Sequence, residues 1–157
     1  APLLAEKIGY EVHELDAAIV EHAGKSIPAV FEESGEAGFR RLERGRLEAT
    51  AEMTGTVISL GGGAVTFTSN LEFVRQHGRL IYLDVPVAIL VDRLYGAEGR
   101  PLLRNDSGEL LSREELHEKI AGMLAERRPY YECADLTVDA GRPTPEATVA
   151  QILDELG

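Results

Sequence analysis

The residues of this chain with chemistry in reach are Asp16, Arg40, Arg93, Arg100, Arg127 and the run Gly61-Gly62-Gly63. Each arginine offers a planar fork of donors suited to a carboxylate or phosphate. Such a fork works even on an acidic chain, because local geometry and desolvation outweigh distant, screened charge. Asp16 closes a short β-compatible stretch from Tyr10 to Leu15, where a carboxylate can accept a hydroxyl proton or simply cap the next helix. The three glycines directly follow the apolar run Val57-Ile58-Ser59-Leu60. They sacrifice chain entropy and let a ligand come close to the backbone and its N–H groups.

Taken singly, each of these has an ordinary structural explanation. Arg40 and Arg41 lie on a charged helix and can be solvated there, and Arg127-Arg128-Pro129 ends a helix where cations favour the dipole. Arg100 opens a polar stretch in which an exposed arginine is unremarkable. The triplet Gly24-Lys25-Ser26 invites a phosphate-loop reading. That motif requires a glycine five residues before its Gly-Lys pair, and Ile19 occupies the position. Gly24 and Ser26 read instead as a helix stop and the next helix's cap.

Length and composition set the limits. The chain has 157 residues with ordinary apolar and charged fractions, enough for a single domain with one core. A formal net charge of −11 argues against nucleic acid as a partner, since such binding rests on clustered Lys and Arg. The sequence has no apolar run of the length a membrane span needs and no signal-peptide pattern at its start, so a cytoplasmic protein without membrane contact is expected. The single cysteine, Cys133, fits a reducing compartment and is expected to be packed.

The elements that must position these residues follow from pattern and punctuation. Pro2 to Ile8 reads as a helix stopped by Gly9, and Tyr10 to Leu15 as a strand leading to Asp16 as the N-cap of a helix over Ala17 to His22. Ser26 caps another helix that Gly35 ends, and a further helix runs from about Glu36 to Met53. Val57 to Leu60 and Leu80 to Leu83 read as buried parallel strands. A helix covers Pro86 to Tyr95, and a polar stretch follows. Ser112 and Glu115 form a capping box for a helix to about Arg128. Leu136-Thr137-Val138 is a last strand, and Thr144-Pro145 opens the final helix. Helices alternating with short apolar strands predict an open α/β sheet with ligands at the carboxyl ends of its strands.

In chain order, Leu15-Asp16, Gly35-Glu36 with Phe39-Arg40-Arg41-Leu42-Glu43, Gly61-Gly62-Gly63-Ala64-Val65, Arg100-Pro101-Leu102-Leu103 and Glu126-Arg127-Arg128-Pro129-Tyr130-Tyr131 resemble the shikimate kinase family. The likeness spans essentially the whole chain. It implies an open parallel sheet of the P-loop nucleoside-monophosphate-kinase type, with helices on both faces and a lid over about residues 99–111. It implies ATP-dependent phosphorylation of the 3-hydroxyl of shikimate in the chorismate pathway to aromatic amino acids, with Mg2+ as cofactor and a monomeric enzyme. By this resemblance Asp16 contacts the ring hydroxyls and takes the hydroxyl proton, and Arg40 and Arg127 clamp the carboxylate. Gly61, Gly62 and Gly63 line the same pocket, and lid Arg100 closes over the transferring phosphate. Arg93 and the stretch Arg142-Pro143-Thr144 correspond to contacts on the adenine.

The chain departs from the family pattern in two ways. Glu14-Leu15-Asp16 stands where Asp-x-Asp is usual, so the carboxylate expected near the magnesium waters is the longer Glu14. The chain also opens inside the helix that should follow the P-loop, so the strand and loop carrying the phosphate-binding glycines, the lysine and the Ser/Thr for magnesium are expected upstream. A rival from another class is a kinase-like domain of a regulator that senses an aromatic or cyclic acid. Asp16, Arg40, Arg127 and the lid arginine together favour the enzyme, because a sensor needs no phosphate-closing lid.

Overall fold

The computed structural model describes residues 1–95, 104–141 and 143–157. Arg100 with the rest of its block, and Arg142, lie outside the described residues. The chain forms two compact units, Ala1–Leu80 and Ile81–Gly157. The first contains α1 (Pro2–Ile8), β1 (Glu11–Glu14), α2 (Leu15–Ala23), α3 (Ile27–Glu48), β2 (Thr56–Ser59), a 3-10 turn (Ala64–Thr66) and α4 (Thr68–His77). The second contains β3 (Ile81–Asp84), α5 (Val87–Leu94), α6 (Arg113–Tyr131), β4 (Leu136–Asp139) and α7 (Pro145–Leu156).

Each unit is built on a parallel strand pair. β1 runs alongside β2 from Glu11↔Thr56 to Glu14↔Ser59, and β3 alongside β4 from Ile81↔Leu136 to Asp84↔Asp139. The expected parallel pairing is present, but β2 and β3 are half-buried rather than buried, and Leu83 is 47 % exposed. Among the described residues each of these strands has a neighbour on one edge only. The core of the first unit gathers Leu15, Ile19, Val30, Phe39, Leu47 and Ala64, and that of the second Val91, Leu116 and Ile120.

Local signals place most element ends. Gly24 stops α2 in the left-handed region, and the Ser26 hydroxyl caps α3 by accepting from the Ala29 N–H. Ile19 is fully buried in the core, which settles Gly24-Lys25-Ser26 as a helix junction. The Ser112–Glu115 capping box is formed, and Thr144 caps α7. The helix expected to reach Met53 ends at Glu48. The one expected to stop near Arg128 continues through Pro129 to Tyr131, whose ring stacks on Tyr82 with centroids 4.8 Å apart. This contact offsets the hydrogen bond that the proline cannot donate. Cys133 is exposed rather than packed, its thiol donating to the Pro129 carbonyl at 3.3 Å.

Gly35 interrupts α3 with φ 64° and ψ −174°, a conformation essentially restricted to glycine. The break brings Phe31 and Phe39, one on either side of it, into a stack with centroids 4.7 Å apart. No atom stands within 4 Å of where a Cβ would lie, so any penalty for a side chain here is purely backbone strain. Gly35→Ala is expected to lower stability by about 1–3 kcal/mol in a denaturant melt. An unchanged midpoint would show that the kink is not held against its intrinsic preference.

Candidate active site

The site of the first unit is set by strand register. β1 and β2 finish opposite one another at Glu14 and Ser59, and Asp16 and Gly61 each follow two positions later. They therefore emerge together at the carboxyl ends of adjacent parallel strands. A Cβ at Gly61 would lie 3.3 Å from Asp16 Oδ1, so the glycine leaves the carboxylate its room. Asp16 is not the helix cap expected from the sequence. The N-cap is Glu14, which makes no side-chain capping bond, and Asp16 stands exposed in the first turn of α2. It has no hydrogen-bond partner among the described residues.

Arg40 enters the same site from the second half of α3. Its Nη1 donates to Glu43 Oε1 at 2.8 Å, its Nη2 stands 3.6 Å from Glu36, and the rings of Phe39 and Phe67 each lie 5.2 Å from the guanidinium carbon. The buried Nε has no hydrogen-bond partner among the described residues. Gly63 has an ordinary φ of −88°, so flexibility does not explain it. Space does: a Cβ there would lie 2.6 Å from Arg40 Nη2 and 2.9 Å from Nη1. The glycine run exists at these positions because two charged side chains press against its backbone.

Sequence reasoning missed Glu43 as a working residue, although it stands in the quoted block at the i,i+3 spacing that lets it meet Arg40. Its side chain is 1 % exposed. Burial raises its pKa above the ordinary 4.5, the hydrogen bond and charge of Arg40 pull the other way, and Asp16 adds to the rise. Asn70 was missed as well. Its buried amide donates to the Ala64 carbonyl at 2.9 Å and accepts from Arg44 at 3.0 Å, which ties the exit of the glycine run to α3 one turn beyond Arg40.

The second unit holds the other expected residues. Arg127 lies half-buried near the end of α6, and Arg93 on α5 reaches the Ala140 carbonyl at 3.4 Å. That contact places Arg93 beside the segment leading to Pro143. The described end of the expected lid is a tight hairpin in which Arg104 bridges Leu110 and the Asn105 side chain accepts from the N–H groups of Ser107 and Glu109. Glu14 is exposed at the end of β1. Among the described residues no three His, Cys, Asp or Glu side chains gather to hold a metal. No described helix is long and apolar enough to cross a membrane.

A free carboxylate beside a held guanidinium, on glycine backbone at the carboxyl ends of parallel strands, defines an α/β enzyme site for a small molecule bearing hydroxyl and anionic groups. The model of the shikimate kinase family matches residues 1–157. The shikimate kinase of Chlorobium chlorochromatii is 46 % identical over 96 % of this chain and 80 % of its own length. That of Salinibacter ruber is 47 % identical over 92 % and 72 %. The crystal structure of shikimate kinase from Bacteroides thetaiotaomicron superposes with a TM-score of 0.87 at 34 % identity, covering 99 % of this chain and 88 % of that one. The Acinetobacter baumannii enzyme in complex with shikimate gives 0.85 at 32 % identity, over 98 % and 82 %.

The chain belongs to the shikimate kinase family. It has the P-loop kinase α/β fold, and its activity is phosphorylation of shikimate with ATP as donor, which decides against a purely regulatory domain.

Because folding raises the Glu43 pKa, the folded chain binds this proton more tightly than the unfolded chain does. The group's contribution to stability is therefore present below its unfolded value and is lost as pH rises through the folded one. Glu43→Gln cannot titrate. In thermal melts across the mildly acid range, the Tm of the parent minus that of the variant should fall as pH increases through this window. The opposite slope would mean that attraction to Arg40 outweighs burial at this carboxyl.

Proposed function

We propose that Asp16 binds the ring hydroxyls of shikimate and accepts the proton of the 3-hydroxyl, while Arg40 and Arg127 hold its carboxylate. Gly61, Gly62 and Gly63 form the floor of this pocket. The observation that carries the reading is the placement of the Asp16 carboxylate and the Arg40 guanidinium against one glycine run, through Gly61 and Gly63. Asp16 has no bond of its own to break among the described residues, so it is free to orient a hydroxyl. Arg40 is already held by Glu43, so little side-chain freedom is lost when a carboxylate binds.

The donor side follows from the family likeness. Arg100 closes over the transferring phosphoryl group and offsets its charge, and Arg93, Arg142 and Pro143 flank the adenine. Mg2+ bound with ATP neutralises phosphate charge, and the exposed Glu14 suits a contact to its waters. Its oxygen donors match a hard cation, and its longer side chain reaches further than aspartate. Phosphoryl transfer of this kind depends on positioning and charge compensation more than on covalent chemistry. We place the enzyme in the cytoplasm, on its single cysteine, and take it to act as a monomer.

Asp16→Asn separates function from folding. The amide keeps the size of the side chain and gives up only a favourable first-turn charge, so stability should change by less than about 1 kcal/mol. It cannot accept the hydroxyl proton, and kcat should drop by on the order of a hundredfold or more. The check is a thermal melt beside a coupled ADP-release assay with shikimate on the full-length protein. Near-normal turnover would remove Asp16 from the chemistry and leave Glu14 as the next carboxylate to examine.

A further inference from the structure

The start of α4 carries an aromatic residue at the N-cap, and α1, α2 and α5 likewise begin without a side-chain capping bond. Three other helices are capped by a hydroxyl, from Ser26, Ser112 and Thr144. At α4 the N-cap is Phe67, with the extended backbone of a cap at φ −107° and ψ 124° but no side chain able to accept an N–H of the first turn. The ring is also 42 % exposed. A single exposed aromatic is ordinary on a protein surface. One that displaces a cap and lies 5.2 Å from a guanidinium already next to a second ring is a different matter.

The contact has a property that hydrogen bonds lack. A ring face attracts the guanidinium through its quadrupole and uses none of the N–H donors. Arg40 gives one donor to Glu43 and stands near Glu36, and a third carboxylate on the same group would compete with an incoming anion. Aromatic flanks fix the plane of the fork and exclude water from it while its remaining edge stays open. Phe39 belongs to the buried core and cannot be altered without repacking it. Phe67 belongs to the surface and has no core role.

We propose that Phe67 is a positioning residue for shikimate, holding the Arg40 guanidinium in its carboxylate-binding orientation in place of a helix cap. This rests on the reading of Arg40 as a carboxylate ligand.

Its signature is that stability and affinity move in opposite directions. Phe67→Ser restores a capping hydroxyl and should raise Tm by about 2–4 °C. The same change should raise the KM for shikimate about 3- to 20-fold and leave the KM for ATP unchanged. Phe67→Tyr keeps the ring and should stay within about twofold of the parent for shikimate. Calorimetric titration of shikimate and steady-state kinetics on the full-length protein read these effects, with Arg40→Gln measured in parallel. If Arg40→Gln binds shikimate normally, the carboxylate reading of Arg40 falls. If Arg40→Gln binds weakly and Phe67→Ser binds normally, only the role of Phe67 falls. A Phe67→Ser protein that melts earlier and loses affinity for both substrates would make Phe67 a packing residue and overturn the proposal.

Discussion

The site depends on the ion pair between Arg40 and the buried Glu43, joined at 2.8 Å. An arginine beside a pocket ordinarily samples many rotamers, and a bound carboxylate would have to select one of them. Here Glu43 selects it before any ligand arrives. Burying Glu43 is tolerable only because the guanidinium accompanies it, and the guanidinium is drawn to the glycine run for the same reason. The absence of a side chain at Gly63 completes the arrangement, since a Cβ would stand 2.6 Å from Nη2. Carboxylate, guanidinium and bare backbone are therefore one constraint expressed at three points of the chain.

Strand register supplies the remaining order. With Glu14 opposite Ser59, the chain leaving β1 and the chain leaving β2 start from the same level, and Asp16 meets Gly61 without a long loop on either side. A parallel pair suits this task because both carboxyl ends lie on the same edge. Asn70 then fixes where the glycine run leaves the site by gripping the Ala64 carbonyl, and Arg44 holds Asn70 from α3. The helix that carries Arg40 thus also secures the loop against which that arginine rests.

What could be read from the sequence was whatever neighbours in the chain determine. Gly24 as a stop, Ser26 as a cap and the Ser112–Glu115 box all rest on local chemistry, and the structure contains them. Asp16, Arg40 and the glycine run were legible through their order along the chain. Features that arise from contacts between distant segments were hidden. Nothing near Glu43 says that it is buried, because its burial comes from the packing of α3. Nothing near Pro129 says that α6 survives it, because the compensating partner is Tyr82, far away in sequence. Phe67 looks like an incidental aromatic until α3 brings Arg40 to its face.

Asp16 shows how a local rule can assign a residue a role that packing withholds. An aspartate at a strand-to-helix junction is a strong capping signal, and capping would occupy its oxygens with backbone N–H groups. Leu15 and Ile19 decide otherwise. Both are fully buried in the same core cluster and stand one helical turn apart, so both must lie on the inner face of α2. The helix then has to begin by Leu15, which moves the cap back to Glu14 and leaves Asp16 on the outer side of the first turn. The carboxylate is thus left without a structural duty because apolar packing sets the phase of the helix. An aspartate two positions earlier would stand at the cap, whereas at position 16 it lies beside Gly61 with no hydrogen-bond partner among the described residues.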